Sequence, residues 1–307
     1  MTLTLAEAIA AGPVVLDGGL STHLETMGHD LTTTKLWSAT LIADDPDAIV
    51  AAHADFFRAG AQVATTATYQ ASYSGFASIG MDAAAAERMM RRGVALALRA
   101  RDEASVDSES RWVAASVGPY GAMLADGSEY RGDYGLSVSE LRQWHRPRLD
   151  VLADAGADVL AVETIPCAAE VEALVAELAG SGVPAWISVT ASMHDGIPRT
   201  AAGEPLADVF AMARGVEEII AVGVNCCDPT PAADMVRAAT KAADKPGVVY
   251  PNRGESWDAV ARKWTGSGAF DPALVAGWQD AGAVAIGGCC RVEPEAITAI
   301  GAGLHAA

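Results

Sequence analysis

DPALVAGWQDAGAVAIGGCC, residues 271–290, carries a helix, a cap and a strand in one unit. Asp271 is an N-cap residue type, and Pro272 suits the first helical position, where its missing N–H has no partner to lose. The helix-like spacing runs to Gly282, which can take the left-handed conformation that closes a helix. VAIGGCC (284–290) follows as an apolar, β-branched run. The tripeptide Ala-Gly-Ala at 281–283 recurs at 59–61 and 155–157, each time just ahead of such a run. Helix, glycine cap and strand therefore repeat along the chain.

Seven further runs resemble VAIGGCC. They are VVLDGG (14–19), VATTATY (63–69), WVAASVGP (112–119), VLAVETIP (159–166), AWISVTAS (185–192), AVGVNC (221–226) and GVVYPN (247–252). Near-continuous hydrophobicity marks strands buried on both faces, as in a parallel sheet. Helix-like segments separate them. One starts at Pro46 and stops at Gly60. Another opens on a Ser137/Glu140 capping box and stops at Gly156, with Pro147 expected to kink or divide it. Eight strands alternating with helices predict an α/β fold, a single (β/α)₈ TIM barrel over residues 1–307, with a doubly wound open sheet as the alternative. Long connections follow the first, third (120–135) and seventh (253–268) strands.

The 307 residues are 51% hydrophobic, enough for a sizeable core. A net charge of −18 argues against nucleic acid or an anionic membrane as partner, since both would repel it. The N-terminal stretch has no basic region, and no apolar run approaches a membrane span. Five cysteines, four of them in the adjacent pairs Cys226-Cys227 and Cys289-Cys290, do not look like a disulfide framework. A reducing cytoplasm is the expected location.

In a barrel, chemistry lies where strands finish. Here those ends carry Asp17-Gly18-Gly19, Thr65, Thr66 and Thr68, Glu163-Thr164, Asn225-Cys226-Cys227, Tyr250-Pro251-Asn252 and Cys289-Cys290. Adjacent strand residues face opposite ways, so aiming both sulfurs of Cys289-Cys290 at one point needs a bend, which Gly287 and Gly288 would allow. A metal rewards that bend. Zinc takes thiolates at about 2.3 Å, and catalytic zinc keeps three protein ligands and one open position. Cys289 and Cys290 would supply two, and Cys226 or Cys227 the third. Spacing alone does not choose between these.

The words LDGGLSTHLE, LWSATLI, TATYQASYSGF, SVGPYGAMLADGSEYRGDYG, ETIPCAAEVEAL, GVNCCDP, VYPNRGESWD and IGGCCRVEP cover nearly the whole chain. With them the chain resembles the homocysteine S-methyltransferases, in particular the short enzymes that use S-methylmethionine. The resemblance implies a zinc-dependent barrel that makes methionine. It implies Cys226, Cys289 and Cys290 as zinc ligands and catalytic centre, and Asp17, Gly18, Thr66 and Glu163 as substrate contacts. Cys227 and lone Cys167 fall outside that pattern and read as structural. The betaine-using relatives carry an aromatic residue after the strand-four glutamate, where this chain has Thr164.

The implied chemistry is coherent. A free thiol is mostly protonated at neutral pH, and a metal-bound one is not. Homocysteine's ammonium calls for Glu163 or Asp17, and its carboxylate for backbone N–H groups at Gly18-Gly19, which open a helix-like segment. A sulfonium donor could rest on Trp37, Tyr69, Tyr120, Tyr130, Tyr134 or Tyr250 by cation–π attraction. Its own polar groups could meet Asn252, Arg253 and Glu255. S-adenosylmethionine is a possible weaker donor, although no nucleotide-binding glycine motif is present. The expected partners are thus homocysteine and a sulfonium methyl donor, with no nucleic acid and no membrane. Alternatives are a selenocysteine or betaine-linked methyltransferase of the same family, a zinc hydrolase, and a vicinal-cysteine redox sensor. The hydrolase usually needs His or Asp ligands, and no histidine ends a predicted strand. The chain stops seventeen residues after Cys290, too soon for the cobalamin domain of a methionine synthase.

Overall fold

A computed structural model describes residues 3–31, 36, 38–104, 110–258 and 263–305. Eight parallel strands form one sheet: Val14–Val15, Val63–Thr65, Trp112–Val117, Val159–Ile165, Ala185–Val189, Ile219–Asn225, Gly247–Tyr250 and Ala283–Ile286. They are the first to eighth barrel strands below. Each pairs with its sequence neighbours, and the first pairs with the eighth. The ring is completed by a parallel bridge between Leu16 and Val63, with Asp17 N–H donating to Val63 O at 3.0 Å. This is the expected (β/α)₈ barrel.

The burial pattern follows from the topology. Strand residues facing inward, among them Leu16, Trp112, Trp186, Val248 and Ala285, form a core separate from the larger layer between strands and helices. Trp186 fills the interior, and its indole N–H donates to Tyr250 Oη at 2.9 Å. The N-terminal end is closed by helix Leu5–Ala11, an element outside the strand pattern. Its Thr4/Glu7 capping box is complete, and Leu5 and Ile9 join the inner core.

The glycine caps behave as expected: Gly60, Gly156 and Gly282 have φ of 99°, 92° and 98°. Two expectations need correction. The last repeat's helix begins at Leu274, after a turn in which Asp271 Oδ1 accepts from Ala273 N–H at 3.0 Å. Pro147 does not divide its helix, which runs unbroken from Val138 to Ala153. Tertiary anchors on either side offset the proline's cost of about 3 kcal/mol. His145 meets Glu170 at 2.8 Å, and the fully buried Arg148 donates to Gly118 O at 2.8 Å and stacks over Trp144.

Two hairpins lie outside the eight-strand reading. Ala191–His194 pairs with Ile197–Thr200 through Asp195-Gly196, both at positive φ (51° and 75°), as a tight hairpin turn requires. Ser256–Asp258 pairs with Lys263–Thr265. The 120–135 connection folds into helix Tyr120–Leu124 and a 3₁₀ turn, Ser128–Tyr130, and forms a wall of the barrel mouth. Among the described residues no helix is long and apolar enough to cross a membrane.

Candidate active site

Cys226, just past the sixth strand, meets Cys289 and Cys290, past the eighth. All three sulfurs lie within 4.8 Å of one another. Cys226 Sγ is 3.7 Å from Cys290 Sγ, which is 3.9 Å from Cys289 Sγ. Among the described residues this is the one group of three metal-ligating side chains. Hydrogen bonds from Cys289 and Cys290 hold the Cys226 thiol well below the ordinary thiol range, and the same bonds push its two neighbours up. Tyr130 Oη adds a contact to Cys226 Sγ at 3.3 Å. Cys167 and Cys227 are buried outside the cluster, and burial raises both thiols.

The convergence has a backbone cause. Cys226 sits at φ 51° and Thr164 at φ 59°, left-handed conformations that are outliers for ordinary residues. In a regular strand Glu163 and Thr164 would face opposite sides, as would Asn225 and Cys226. The left-handed residue at each strand end lets both members of the pair line the same cavity. Asn225 locks this arrangement. Its Oδ1 accepts Thr164 N–H at 2.7 Å, and its Nδ2 donates to Thr164 Oγ1 at 2.8 Å.

Gly287 and Gly288 play a different part from the expected bend, for neither has positive φ. They allow close approach. A Cβ on Gly287 would lie 2.6 Å from Asp17 O, and one on Gly288 would lie 2.1 Å from a Val292 methyl. The cysteine loop is then pinned from the seventh strand: Cys289 N–H donates to Pro251 O at 2.8 Å and Cys290 N–H to Asn252 Oδ1 at 3.1 Å. Asn252 is thus spent on the loop. Arg253 and Glu255 pair with each other, Glu255 also takes Arg291, and none of these four lines the cavity.

Two buried carboxylates share the cavity with the sulfurs. Glu163, 7% exposed, accepts the Ser116 hydroxyl, and a Tyr250 hydroxyl bond also favours its anion. Burial nevertheless pushes its carboxyl up to about 7. Asp17, 3% exposed, accepts Thr65 N–H at 2.7 Å and Thr65 Oγ1 at 3.0 Å, so it clamps the second strand. Burial drives it up to about 8, and Glu163 adds to the rise. Among the described residues no cation pairs with either.

These groups surround a cavity of about 150 Å³. Gly18 and Thr66 line it as expected, although the Thr66 hydroxyl is closed into a ring with Thr68 and the Ser116 backbone. Gly19 N–H is already given to Val292 O at 3.0 Å, which removes it as an anion donor. Of the candidate aromatics, Tyr69, Tyr130 and Tyr250 reach the cavity. Tyr120 and Tyr134 pack against each other with tilted rings, centroids 5.3 Å apart, and do not line it. Trp37 lies outside the described residues. Missed by the sequence reading were Asn225 as the clamp on Thr164, Ser116 as the partner of Glu163, and Glu129. All three stand in or beside quoted motifs, but their roles follow from partners remote in sequence.

Residues 14–304 match the family model for homocysteine S-methyltransferase. The chain belongs to that family. A homocysteine S-methyltransferase of Escherichia coli is 43% identical over 94% of this chain and 94% of its own length. Homocysteine S-methyltransferase YbgG of Bacillus subtilis is 42% identical over 94% and 93%. A selenocysteine Se-methyltransferase of Brassica oleracea is 40% identical over 94% and 88%. Among solved structures, the metallated form of the E. coli homocysteine methyltransferase MmuM matches with TM-score 0.84 at 40% identity, covering 95% of this chain and 96% of that one. The family is one of enzymes, and the three-cysteine cluster of this member is consistent with a bound metal.

Proposed function

We propose that this family member transfers a methyl group from S-methylmethionine to homocysteine at a zinc ion held by Cys226, Cys289 and Cys290, giving methionine. The sulfur spacing carries this reading. Three ligands at about 2.3 Å from a tetrahedral ion stand about 3.8 Å apart, and two of the sulfur separations here are 3.7 and 3.9 Å. An all-sulfur set also favours zinc over harder ions. When bound, zinc supplies an open fourth position at which the homocysteine thiol is held as thiolate.

The chain's own residues do the rest. Glu163 and Asp17 lack cation partners and lie in the same cavity, so they take homocysteine's ammonium. Gly18 lines the same cavity, so its backbone is offered to the carboxylate. Tyr69 and Tyr130 line the cavity and are the rings available to a sulfonium. The methyl group then passes from a cation to an anion. The loss of both charges is favoured by a water-poor cavity. A reducing compartment, the cytoplasm, suits three unoxidised thiols.

The test is transfer by zinc-loaded protein to homocysteine from S-methylmethionine, S-adenosylmethionine and betaine, with methionine measured and selenocysteine as a second acceptor. S-methylmethionine should lead, and faster transfer from betaine refutes the donor assignment. Cys226→Ser, Cys289→Ser and Cys290→Ser should each lose most bound zinc. Cys227→Ser should keep it near one per chain, and equal loss there sinks the ligand assignment.

A further inference from the structure

One carboxylate in the cavity has a buried oxygen without a partner. Glu129 sits in the 3₁₀ turn Ser128–Tyr130, beside the tyrosine whose hydroxyl touches Cys226, and lines the same cavity as the sulfurs. Its Oε2 is buried and has no hydrogen-bond partner among the described residues. The adjacent Arg131 is engaged elsewhere, donating to Asp126 O at 3.2 Å, Ser128 Oγ at 3.0 Å and Asp133 Oδ1 at 3.3 Å. Asp17 and Glu163 differ in this respect, for both are already supplied with donors from Thr65, Ser116 and Tyr250.

A buried acceptor without a donor is costly, so its retention beside an open cavity points to the molecule that fills the cavity. The turn is also held in place before anything binds. Gly121 lies so close that a Cβ there would be 2.5 Å from Glu129 N, and Tyr120 N–H is anchored on Glu170 at 2.6 Å. Burial pushes the Glu129 carboxyl up to about 7, and a cation alongside would restore its ionised form.

The orphan oxygen wants an N–H donor. A sulfonium centre has none, nor has a quaternary ammonium. An α-ammonium has three. Homocysteine's ammonium is provided for by Asp17 and Glu163. We propose that Glu129 selects amino-acid methyl donors by accepting hydrogen bonds from the donor's α-ammonium. This rests on the reading that the second substrate is a sulfonium amino acid, and adds which of its groups is recognised and by what.

The experiment compares S-methylmethionine with its analogue lacking the amino group, 4-(dimethylsulfonio)butanoate, at saturating homocysteine. The wild-type protein should prefer the amino-bearing donor in kcat/KM by about ten- to a hundredfold, the worth of a charge-assisted hydrogen bond. In Glu129→Gln that preference should collapse to within about threefold, with zinc content and homocysteine KM held. Glu129→Asp, which keeps the charge, should retain part of it. An unchanged preference in Glu129→Gln, or equal losses with both donors, overturns the assignment. If the wild-type protein takes a methyl from neither sulfonium, the donor reading fails and this proposal with it. Transfer with an unmoved preference removes Glu129 alone.

Discussion

Threonine is a poor choice for a left-handed backbone, since its branched Cβ crowds the following carbonyl oxygen, and such residues cost on the order of 1–3 kcal/mol. Thr164 is held there by the two ends of the Asn225 amide, which grip its N–H and its hydroxyl. The strain brings Glu163 and Thr164 into the same cavity. Asn225→Ala should therefore act at a distance. It removes three buried hydrogen bonds, two with Thr164 and one from the Ser188 hydroxyl, each worth about 1–3 kcal/mol once a partner is left unpaired, and frees the strand end that carries Glu163. We expect a stability loss of about 2–4 kcal/mol in urea unfolding, with kcat/KM for homocysteine down at least about tenfold. Thr164→Gly, which relieves the left-handed strain, should reduce the damage done by Asn225→Ala, since the two sites share one interaction. Purely additive losses in the double variant would show that Asn225 does not act through Thr164. None of this was legible beforehand. Asn225 read as a polar strand end, and its partner lies 61 residues earlier, so only the barrel brings them together.

At the scale of elements, legibility followed locality. The glycine caps and the Ser137 capping box were readable because all their parts lie within a few residues. The Asp195-Gly196 hairpin and the Thr4/Glu7 capped helix carry equally local signals, but both stand outside the eightfold strand–helix repeat. The unbroken helix across Pro147 could not be read locally, because its anchors come from other elements. Gly287 and Gly288 show the same limit. A hinge and a close contact look alike in sequence, and only the neighbouring first strand and Val292 reveal which is meant. Gly287→Ala is the sharper probe. Its Cβ would meet the backbone oxygen of Asp17 and the Cβ of Leu16, both at 2.6 Å, and neither can step aside without moving the first strand. The seam between first and eighth strands should widen by a few tenths of an ångström, carrying Cys289 and Cys290 away from Cys226. We expect zinc affinity, measured by competition with a chromogenic chelator, to fall by at least about tenfold, as when the shell that orients metal ligands is disturbed. Wild-type affinity in a folded Gly287→Ala protein would show that the seam does not set the sulfur spacing.

Across the whole molecule, the cluster joins the sixth strand to the eighth over the seventh, next to the pairing of the first and eighth strands. A metal there is expected to stabilise the barrel as well as the site. Free metal at a thousand times its dissociation constant contributes about 4 kcal/mol. Metal binding also requires deprotonated thiols, so this contribution grows with pH. The buried carboxylates work in the opposite sense. Asp17 moves from an ordinary 3.8 to about 8 on folding, and Glu163 from 4.5 to about 7. Folding thus favours their protonated forms. Their contribution is fully present below about pH 4 and is lost as pH rises through 7 to 8. Metal-free protein carrying Asp17→Asn, which cannot ionise at this position, should therefore lose less thermal stability between pH 6 and 8.5 than metal-free wild-type protein. Metal-loaded wild-type protein should gain most over its stripped form at the upper end of that range. Scanning calorimetry of the three samples at four pH values decides it. Parallel pH profiles for Asp17→Asn and wild type would mean that Asp17 is already ionised in the folded chain. The barrel mouth would then hold a fixed negative charge before any substrate enters, and homocysteine binding near neutral pH would release no proton from that residue.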